Sequence, residues 1–207
     1  DATIVAQDTI GTVAAIHGNI NLADSHIEAG GTIDRIVAVD GDVRGALSGV
    51  RSLGAPQADV RVSGGNLGSL EVIRGDLNNV EVDVDGDPAR GEGSIGRISA
   101  LRSPNGIVDS SFRAANRIGV IRTTGERDPA TPGLSGGNFH DSTARADELG
   151  RVVVTGRIAD TDDADGESIR AARGSFVVAD ADDRVRLNEG ESRIFDGILA
   201  MSGRAYV

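Results

Sequence analysis

The chain has 207 residues, enough for one sizeable domain or for one domain with a small appendage. Only 2% of the residues are aromatic and 29 are glycine, so the core must consist of small aliphatic side chains and the chain must turn tightly many times. A net charge of −11 with no basic run argues against a nucleic-acid partner, no apolar run approaches a membrane span, and the lack of cysteine excludes disulfides and thiolate metal sites.

The main pattern is a repeated unit in which an aliphatic anchor is usually followed by glycine and, three positions after the anchor, by another aliphatic residue. The anchors in chain order are Ile10, Ile33, Leu67, Ile95, Ile118 and Leu149. They are separated by steps of 23, 34, 28, 23 and 31 residues. The step of 23 predicts one undecorated turn of a repeat structure, and the longer steps predict the same turn with inserted loops. We expect the anchor and the third and fifth residues after it to face the interior.

Corners and further strands complete each predicted turn. Glycine corners occur at Gly18-Asn19-Ile20, Gly41-Asp42-Val43 and Gly75-Asp76-Leu77, and each returns an aliphatic residue to the interior. Asn and Asp at such corners tolerate left-handed φ and can form ladders with their counterparts. Short alternating strands at residues 60–62 and 80–84 fill the remaining side. Gly136-Gly137-Asn138 before Phe139 is interpreted as the turn of a further anchor.

These observations predict an all-β fold, a right-handed parallel β-helix (solenoid) of about six or seven turns over residues 1–159. Handedness follows from the crossover rule. Residues 160–207 are predicted to form a small C-terminal β-strand module, either a cap, a last pair of larger turns or an assembly element. An acidic run at 160–167 opens this module, and strands are expected at 175–179, 184–187 and 193–200.

The I-G-x-[IV] units followed by G-[DN]-[ILV] resemble the Gly-rich right-handed parallel β-helix repeats of large bacterial secreted and surface proteins. The resemblance covers residues 10–158, and a more distant likeness exists to bactofilins, which polymerise from short β-helices. It implies a β-helix in an exported setting and no particular activity. Export also agrees with a chain that lacks Lys and Cys and whose only methionine, Met201, stands far from its first residue.

The candidate chemistry is limited to metal binding. Asp83, Asp85 and Asp87 form a D-x-D-G-D pattern of hard oxygen ligands, so calcium is the one cofactor for which the sequence offers a site. Pro88 and Ser94 break the EF-hand pattern, and a solvated acidic loop remains the alternative. His140-Asp141-Ser142 holds the residue types of a catalytic triad, but adjacent residues do not normally face one another as a triad requires. We expect no enzyme.

The two ends of the chain carry apolar strands that predict an assembly interface. Its residues are Ala2, Ile4, Val5, Phe195, Ile198, Leu199, Tyr206 and Val207. Stacking of these ends would give a head-to-tail homo-oligomer, and hence an extracellular or cell-surface filament or appendage. Two alternatives remain: each end caps its own chain, or the protein is a monomeric adhesin module that binds a glycan or protein through loops at 51–59, 85–94 and 123–148. A polysaccharide-active enzyme is a third hypothesis.

Overall fold

The structure is a computed structural model that describes residues 3–23, 25–45, 59–127, 134–160 and 168–203. Within these ranges the chain is all-β, as predicted, and contains no α-helix. One turn of 3-10 helix, Pro88–Arg90, begins after Asp87, whose carboxylate accepts a hydrogen bond from the amide of Ala89. The remaining secondary structure consists of short strands.

The strands of the first half of the chain form a regular series of short and long elements. They are β1 (Ile4–Ala6), β2 (Ile10–Ile16), β3 (Ile20–Asn21), β4 (Ile27–Ala29), β5 (Ile33–Val39), β6 (Val43–Arg44), β7 (Val60–Val62), β8 (Leu67–Ile73), β9 (Leu77–Asn78), β10 (Glu81–Val84), β11 (Ile95–Leu101) and β12 (Gly106–Val108). Each seven-residue strand therefore lies between two shorter ones.

The second half continues the series and ends with two antiparallel additions. Its strands are β13 (Ser111–Ala114), β14 (Arg117–Thr124), β15 (Glu126–Arg127), β16 (Leu134–Ser135), β17 (Asn138–His140), β18 (Thr143–Ala146), β19 (Glu148–Val154), β20 (Ile158–Ala159), β21 (Ser168–Ala171), β22 (Phe176–Ala179), β23 (Arg184–Leu187), β24 (Ser192–Phe195) and β25 (Ile198–Ser202).

All of these strands except β15 and β16, which form a separate two-stranded sheet, belong to three larger sheets. Sheet 1 has the order β1-β4-β7-β10-β13-β18-β21-β25-β24, sheet 2 has β2-β5-β8-β11-β14-β19-β22-β23, and sheet 3 has β3-β6-β9-β12-β17-β20. The chain visits the three sheets in turn and then pairs in parallel with the layer before. Antiparallel pairing occurs between β15 and β16, β22 and β23, and β24 and β25. This topology is compatible with a β-solenoid.

The register of sheet 2 confirms the predicted repeat. Ile10 pairs with Ile33, Ile33 with Leu67, and so on through Ile95, Ile118 and Leu149, so the uneven steps along the chain bring equivalent residues together. All six anchors are at most 9% exposed. From the second layer onward, the third and fifth residues after the anchor are also buried, as in Ile36 and Ala38.

The occurrence of glycine directly after the anchor is explained by steric contact between neighbouring layers. A Cβ on Gly68, Gly96, Gly119 or Gly150 would lie well under 3.0 Å from the carbonyl oxygen of the equivalent residue in the preceding layer. At this point the strand bends, so that two consecutive residues face outward before the pattern returns to the interior. At these four positions glycine lets the layers approach closely, whereas the second layer carries Asp34 at the equivalent position.

Three sequence predictions are wrong in detail. Phe139 is not an anchor: it lies in sheet 3 between Ile107 and Ile158, where it fills the corner position. The predicted loop at 123–148 contains β17 and β18, which carry the stack forward. The predicted strand at 193–200 is a hairpin, because Asp196 and Gly197 both adopt positive φ and reverse the chain between β24 and β25.

Candidate functional site

The first layer of the stack presents three open strand edges. Among the strands that the structure describes, β1, β2 and β3 each stand at the end of their sheet and have a neighbour on one side. Aliphatic side chains lie exposed in this layer: Ile4 is 37% exposed, Val5 61% and Ile16 72%. Open edges with exposed aliphatic residues are sites where another strand can add.

Two glycines of this first layer, Gly11 and Gly18, could carry a side chain without a steric clash within the described chain. Gly18 is aligned with Gly41, and Gly11 is aligned with Asp34 and then Gly68. A Cβ on Gly41 or Gly68 would collide with a carbonyl of the layer before. A Cβ on Gly11 or Gly18 would meet nothing within 4 Å. Neither has positive φ. The first layer therefore already has the shape needed to receive a further layer on its open side.

At the opposite end, sheets 1 and 2 terminate in antiparallel strands, whereas sheet 3 terminates in the parallel strand β20. β24 and β23 end sheets 1 and 2, and their exposed residues include Arg184, Arg186 and Arg193. Charged edge strands discourage unspecific pairing. Phe195 is 5% exposed and Ile198 is fully buried, so both belong to the core of their own chain, while Leu199 is partly buried. Of the predicted interface, Ala2, Tyr206 and Val207 lie outside the described residues.

Charge is distributed unevenly along the stack. Residues 1–96 hold 6 arginines and 15 acidic residues, a formal charge of −9. Residues 97–207 hold 15 arginines and 17 acidic residues, a formal charge of −2. The molecule is thus electrically polar along the stacking direction, with its acidic half at the open end.

The predicted calcium ligands make other contacts. Asp83 lies on the outer face of β10 beside Arg113, whose Nη1 is 3.4 Å from the Asp83 carboxylate. Burial, followed by the charge of Asp85, raises the pKa of Asp83. Asp87 caps the 3-10 helix and lies 3.5 Å from Arg90 Nε. Within the described ranges, no three His, Asp or Glu side chains are grouped as metal ligands. Calcium binding stays a prediction.

His140, Asp141 and Ser142 lie at a corner of the stack. The Ser142 hydroxyl donates a hydrogen bond to the carbonyl of His140 and accepts one from the amide of Ser110 at 3.0 Å. His140 Nδ1 is 4.0 Å from the Asp141 carboxylate. The serine hydroxyl therefore joins two layers of backbone, and this arrangement is not that of a triad, in which the hydroxyl would contact the imidazole.

The predicted corner ladder of Asn and Asp side chains is confirmed in sheet 3. Asn19 Oδ1 accepts from the Asp42 amide and Asp42 Oδ1 accepts from the Asp76 amide, both at 2.8 Å. The Asp76 carboxylate accepts from Ser103 Oγ and from the Asn105 and Gly106 amides. Burial alone would raise the pKa of Asp76, but these hydrogen bonds outweigh it and lower the pKa below its usual value.

A second corner ladder was not predicted. His17, Asp40, Arg74 and Arg102 all have positive φ at the end of the long strands of sheet 2. Asp40 lies between its neighbours: His17 Nδ1 is 2.9 Å from its carboxylate, and Arg74 Nη2 donates to it at 2.7 Å. The hydrogen bond from Arg74 lowers the pKa of Asp40. Because these left-handed corners hold His, Asp and Arg residues and not glycine, no residue pattern in the sequence indicated them.

A short motif in sheet 1 was also overlooked. The sequence [ST]-x-R-A occurs in strands β13, β18 and β21 as Ser111-Phe112-Arg113-Ala114, Thr143-Ala144-Arg145-Ala146 and Ser168-Ile169-Arg170-Ala171. The register pairs Arg113 with Arg145 and Arg145 with Arg170. The signal was present in the sequence, but it lies outside the anchor unit that defined the repeat.

Comparison with known proteins gives no assignment: no protein-family model, curated protein or solved structure matches this chain. In the part of the chain that the structure describes, no helix is long and apolar enough to cross a membrane. Any function must therefore be argued from the geometry of the stack itself.

Proposed function

We propose that the protein is an extracellular structural subunit, a right-handed β-solenoid that assembles head to tail by adding strands at its first layer. The observation that carries the proposal is the pair Gly11 and Gly18. Both positions keep the clearance that later layers need for a preceding carbonyl, although no described layer precedes them. A layer supplied by a second subunit explains why this clearance is kept.

The energetics of the open edge support strand addition. Each open strand leaves backbone donors and acceptors without ladder partners, and Val5 and Ile16 remain largely in water. Stacking a further layer would satisfy these backbone groups and bury the aliphatic side chains. Because the two ends of the stack differ, the contact would be heterologous and would extend into a filament.

Charge polarity favours head-to-tail over head-to-head assembly. Two acidic halves that met head to head would repel, whereas an acidic half that meets the nearly balanced half of the next subunit would not. The receiving surface would be the outer edges of β23 and β24, with Arg184, Arg186 and Arg193 near the incoming acidic layer. Phe195 and Ile198 would then support this surface from the core instead of contacting the partner.

The test uses negative-stain electron microscopy and sedimentation velocity on the wild-type chain and on the Gly11→Ala/Gly18→Ala variant. We expect filaments from the wild type, and from the variant we expect monomers whose melting temperature is no lower than that of the wild-type monomer, because the added methyl groups block only the incoming layer. A wild-type chain that remains monomeric at all concentrations, or a variant that assembles equally well, would refute the proposal.

A mixing experiment tests whether the subunits assemble head to tail. The Gly11→Ala/Gly18→Ala variant keeps an intact C-terminal end, so in head-to-tail assembly it can add once and then expose a blocked first layer. Substoichiometric variant should therefore shorten wild-type filaments. If the variant leaves filament length unchanged, assembly does not proceed through this pair of ends. The Ile194→Lys variant at the other end, where Ile194 is 67% exposed on β24, should also reduce assembly.

A further inference from the structure

The outer face of sheet 2 carries a row in which arginine alternates with valine from layer to layer. In register from β11 to β23, the row reads Arg97, Val120, Arg151, Val177 and Arg186. An arginine therefore occurs in every second layer. Because the layers are about 4.8 Å apart, the arginines of this row are spaced by about 10 Å, and no two of them lie directly opposite each other.

A neighbouring row on the same face contributes a further arginine. Arg122 stands two residues after Val120 on β14, so its side chain leaves the same face of the sheet. It lies diagonally between Arg97 and Arg151, about 8 Å from each at the backbone. Arg97, Arg122 and Arg151 thus form a zigzag over three successive layers, called here the arginine zigzag.

The guanidinium groups of the arginine zigzag are accessible and uncompensated. All three arginines are exposed. Within the described ranges, none of them forms an ion pair with an acidic side chain. Their neighbours across the two rows are Ser99, Val120 and Val153, which carry no charge. A surface of this kind presents spaced positive charges to the solvent in a chain that is acidic overall.

An earlier member of the same row is compensated. Arg35 lies on β5, two layers before Arg97. Its Nη2 is 2.9 Å from the carboxylate of Glu71, which stands on the same face of β8. From β11 to β23 the two rows contain no acidic residue, so the face changes at β11 from self-compensated to cationic.

The spacing of these cations distinguishes between classes of anionic partner. A nucleic-acid strand places a phosphate about every 3.4 Å, so most of its charges would find no arginine and would face a protein of net charge −11. A polysaccharide with a carboxylate on every second sugar has a much lower charge density. Its acidic groups recur at the length of a disaccharide, which is comparable to the two-layer spacing between Arg97 and Arg151.

We propose that the arginine zigzag binds an acidic polysaccharide whose carboxylates occur on alternate sugars. Each guanidinium can donate two parallel hydrogen bonds to a carboxylate. The partly exposed Val120 and Val153 would contact the C–H groups of the intervening sugars. One exposed contact contributes little, so the affinity comes from several contacts along one polymer. The proposal does not rest on filament assembly, because the zigzag lies on the side of the stack and not at either end.

Isothermal titration calorimetry with oligomers of equal length tests the proposal, at protein concentrations below assembly. The probes are hyaluronate, with a carboxylate on every second sugar, polygalacturonate, with one on every sugar, neutral dextran, and a single-stranded oligonucleotide. We expect hyaluronate to bind at about 50 mM NaCl and more weakly at about 150 mM, and to bind at least as tightly as polygalacturonate in spite of its lower charge. Dextran should not bind. No binding of hyaluronate at low salt, or tighter binding of polygalacturonate or of the oligonucleotide, would overturn the proposal.

Variants locate the binding on the face of sheet 2. Arg122→Gln and Arg151→Gln should each weaken hyaluronate binding about fivefold. The matched control is Arg113→Gln on sheet 1, an exposed arginine whose Nη1 is 3.4 Å from the carboxylate of Asp83, and it should leave binding within about twofold of wild type. Circular dichroism verifies that each variant is folded. Equal weakening by Arg113→Gln, or unchanged binding in folded Arg151→Gln, would remove the zigzag as the site.

A gain of binding gives an independent test. Glu71→Gln releases the guanidinium of Arg35, which continues the row two layers before Arg97. The added free cation should strengthen hyaluronate binding by about twofold to fivefold. Asp83→Asn removes the same charge on sheet 1 and should leave binding within about twofold of wild type. An equal gain from both variants would show a response to net charge alone and would contradict recognition by spaced arginines.

Discussion

The glycine after each anchor allows a quantitative test of how the layers stack. In Gly119→Ala the new Cβ would lie 2.5 Å from the carbonyl oxygen of Gly96, so the two layers must separate by several tenths of an ångström. Overpacking of this kind costs about 1–3 kcal/mol. Weakening of the local ladder hydrogen bonds adds about 0.5–1.5 kcal/mol. The reduced entropy of the unfolded chain returns about 0.4–1 kcal/mol. We therefore expect a net loss of about 2–3 kcal/mol in the free energy of unfolding.

Gly11→Ala is the matched control, since it makes the same chemical change at the same position of the first layer, where a Cβ meets nothing within 4 Å. Only the unfolded-state term then applies, so we expect this variant to be neutral or stabilised by up to about 1 kcal/mol. Urea unfolding followed by far-ultraviolet circular dichroism, at concentrations below assembly, measures both. Equal effects of Gly119→Ala and Gly11→Ala would refute the steric explanation of the glycine column.

Three further predictions concern the core, a corner and the acidic loop. Phe139→Ala should lower the free energy of unfolding by about 3–5 kcal/mol, whereas Ile194→Ala, at a side chain that is 67% exposed, should change it by less than about 0.5 kcal/mol. Asp76→Asn should cost about 1–3 kcal/mol at neutral pH, measured by urea unfolding. Because the folded-state pKa of Asp76 is lowered, its contribution is present above the unfolded-state pKa of about 3.9 and is lost as the pH falls through the folded-state value, so wild type and Asp76→Asn should converge in acid. Calcium binding at Asp83, Asp85 and Asp87 should raise the melting temperature at millimolar calcium, by a small amount because the ion must displace Arg113 from Asp83. An unchanged melting temperature would contradict the predicted site.

The repeat could be predicted from the sequence because the anchor column is under the tightest physical constraint. A buried aliphatic residue and, three positions later, a second aliphatic residue recur in all six units, with a glycine after the anchor in five of them, and no insertion disturbs the units internally. The inserted segments between anchors offered no comparable constraint. Phe139 was therefore assigned to the wrong sheet, since a bulky apolar residue after a glycine turn fits a corner as well as an anchor.

The candidate sites were harder to predict because they depend on register between strands far apart in the sequence. Asp83, Asp85 and Asp87 look like a metal-binding pattern when they are considered alone. Once Arg113 is placed one layer away, 30 residues later, Asp83 becomes one member of an ion pair. The alignment of Arg113, Arg145 and Arg170 was hard to predict for the same reason, since these residues are separated by 32 and 25 positions and are placed in register only by the uneven lengths of the turns.

The inward-facing residues of the stack and the outward-facing residues determine different properties of the protein. Inward positions accept almost any small aliphatic side chain, so they specify the layers but distinguish little between them. Outward positions repeat at the layer spacing and are free to vary, so a column such as the one from Glu28 to Arg170 arranges charges at fixed intervals of about 4.8 Å. Alternating signs give a surface whose charges compensate one another. In this protein the alternation runs from Glu28 to Arg113 and ends in the Asp83–Arg113 ion pair, so these outward charges are matched between layers of the chain itself.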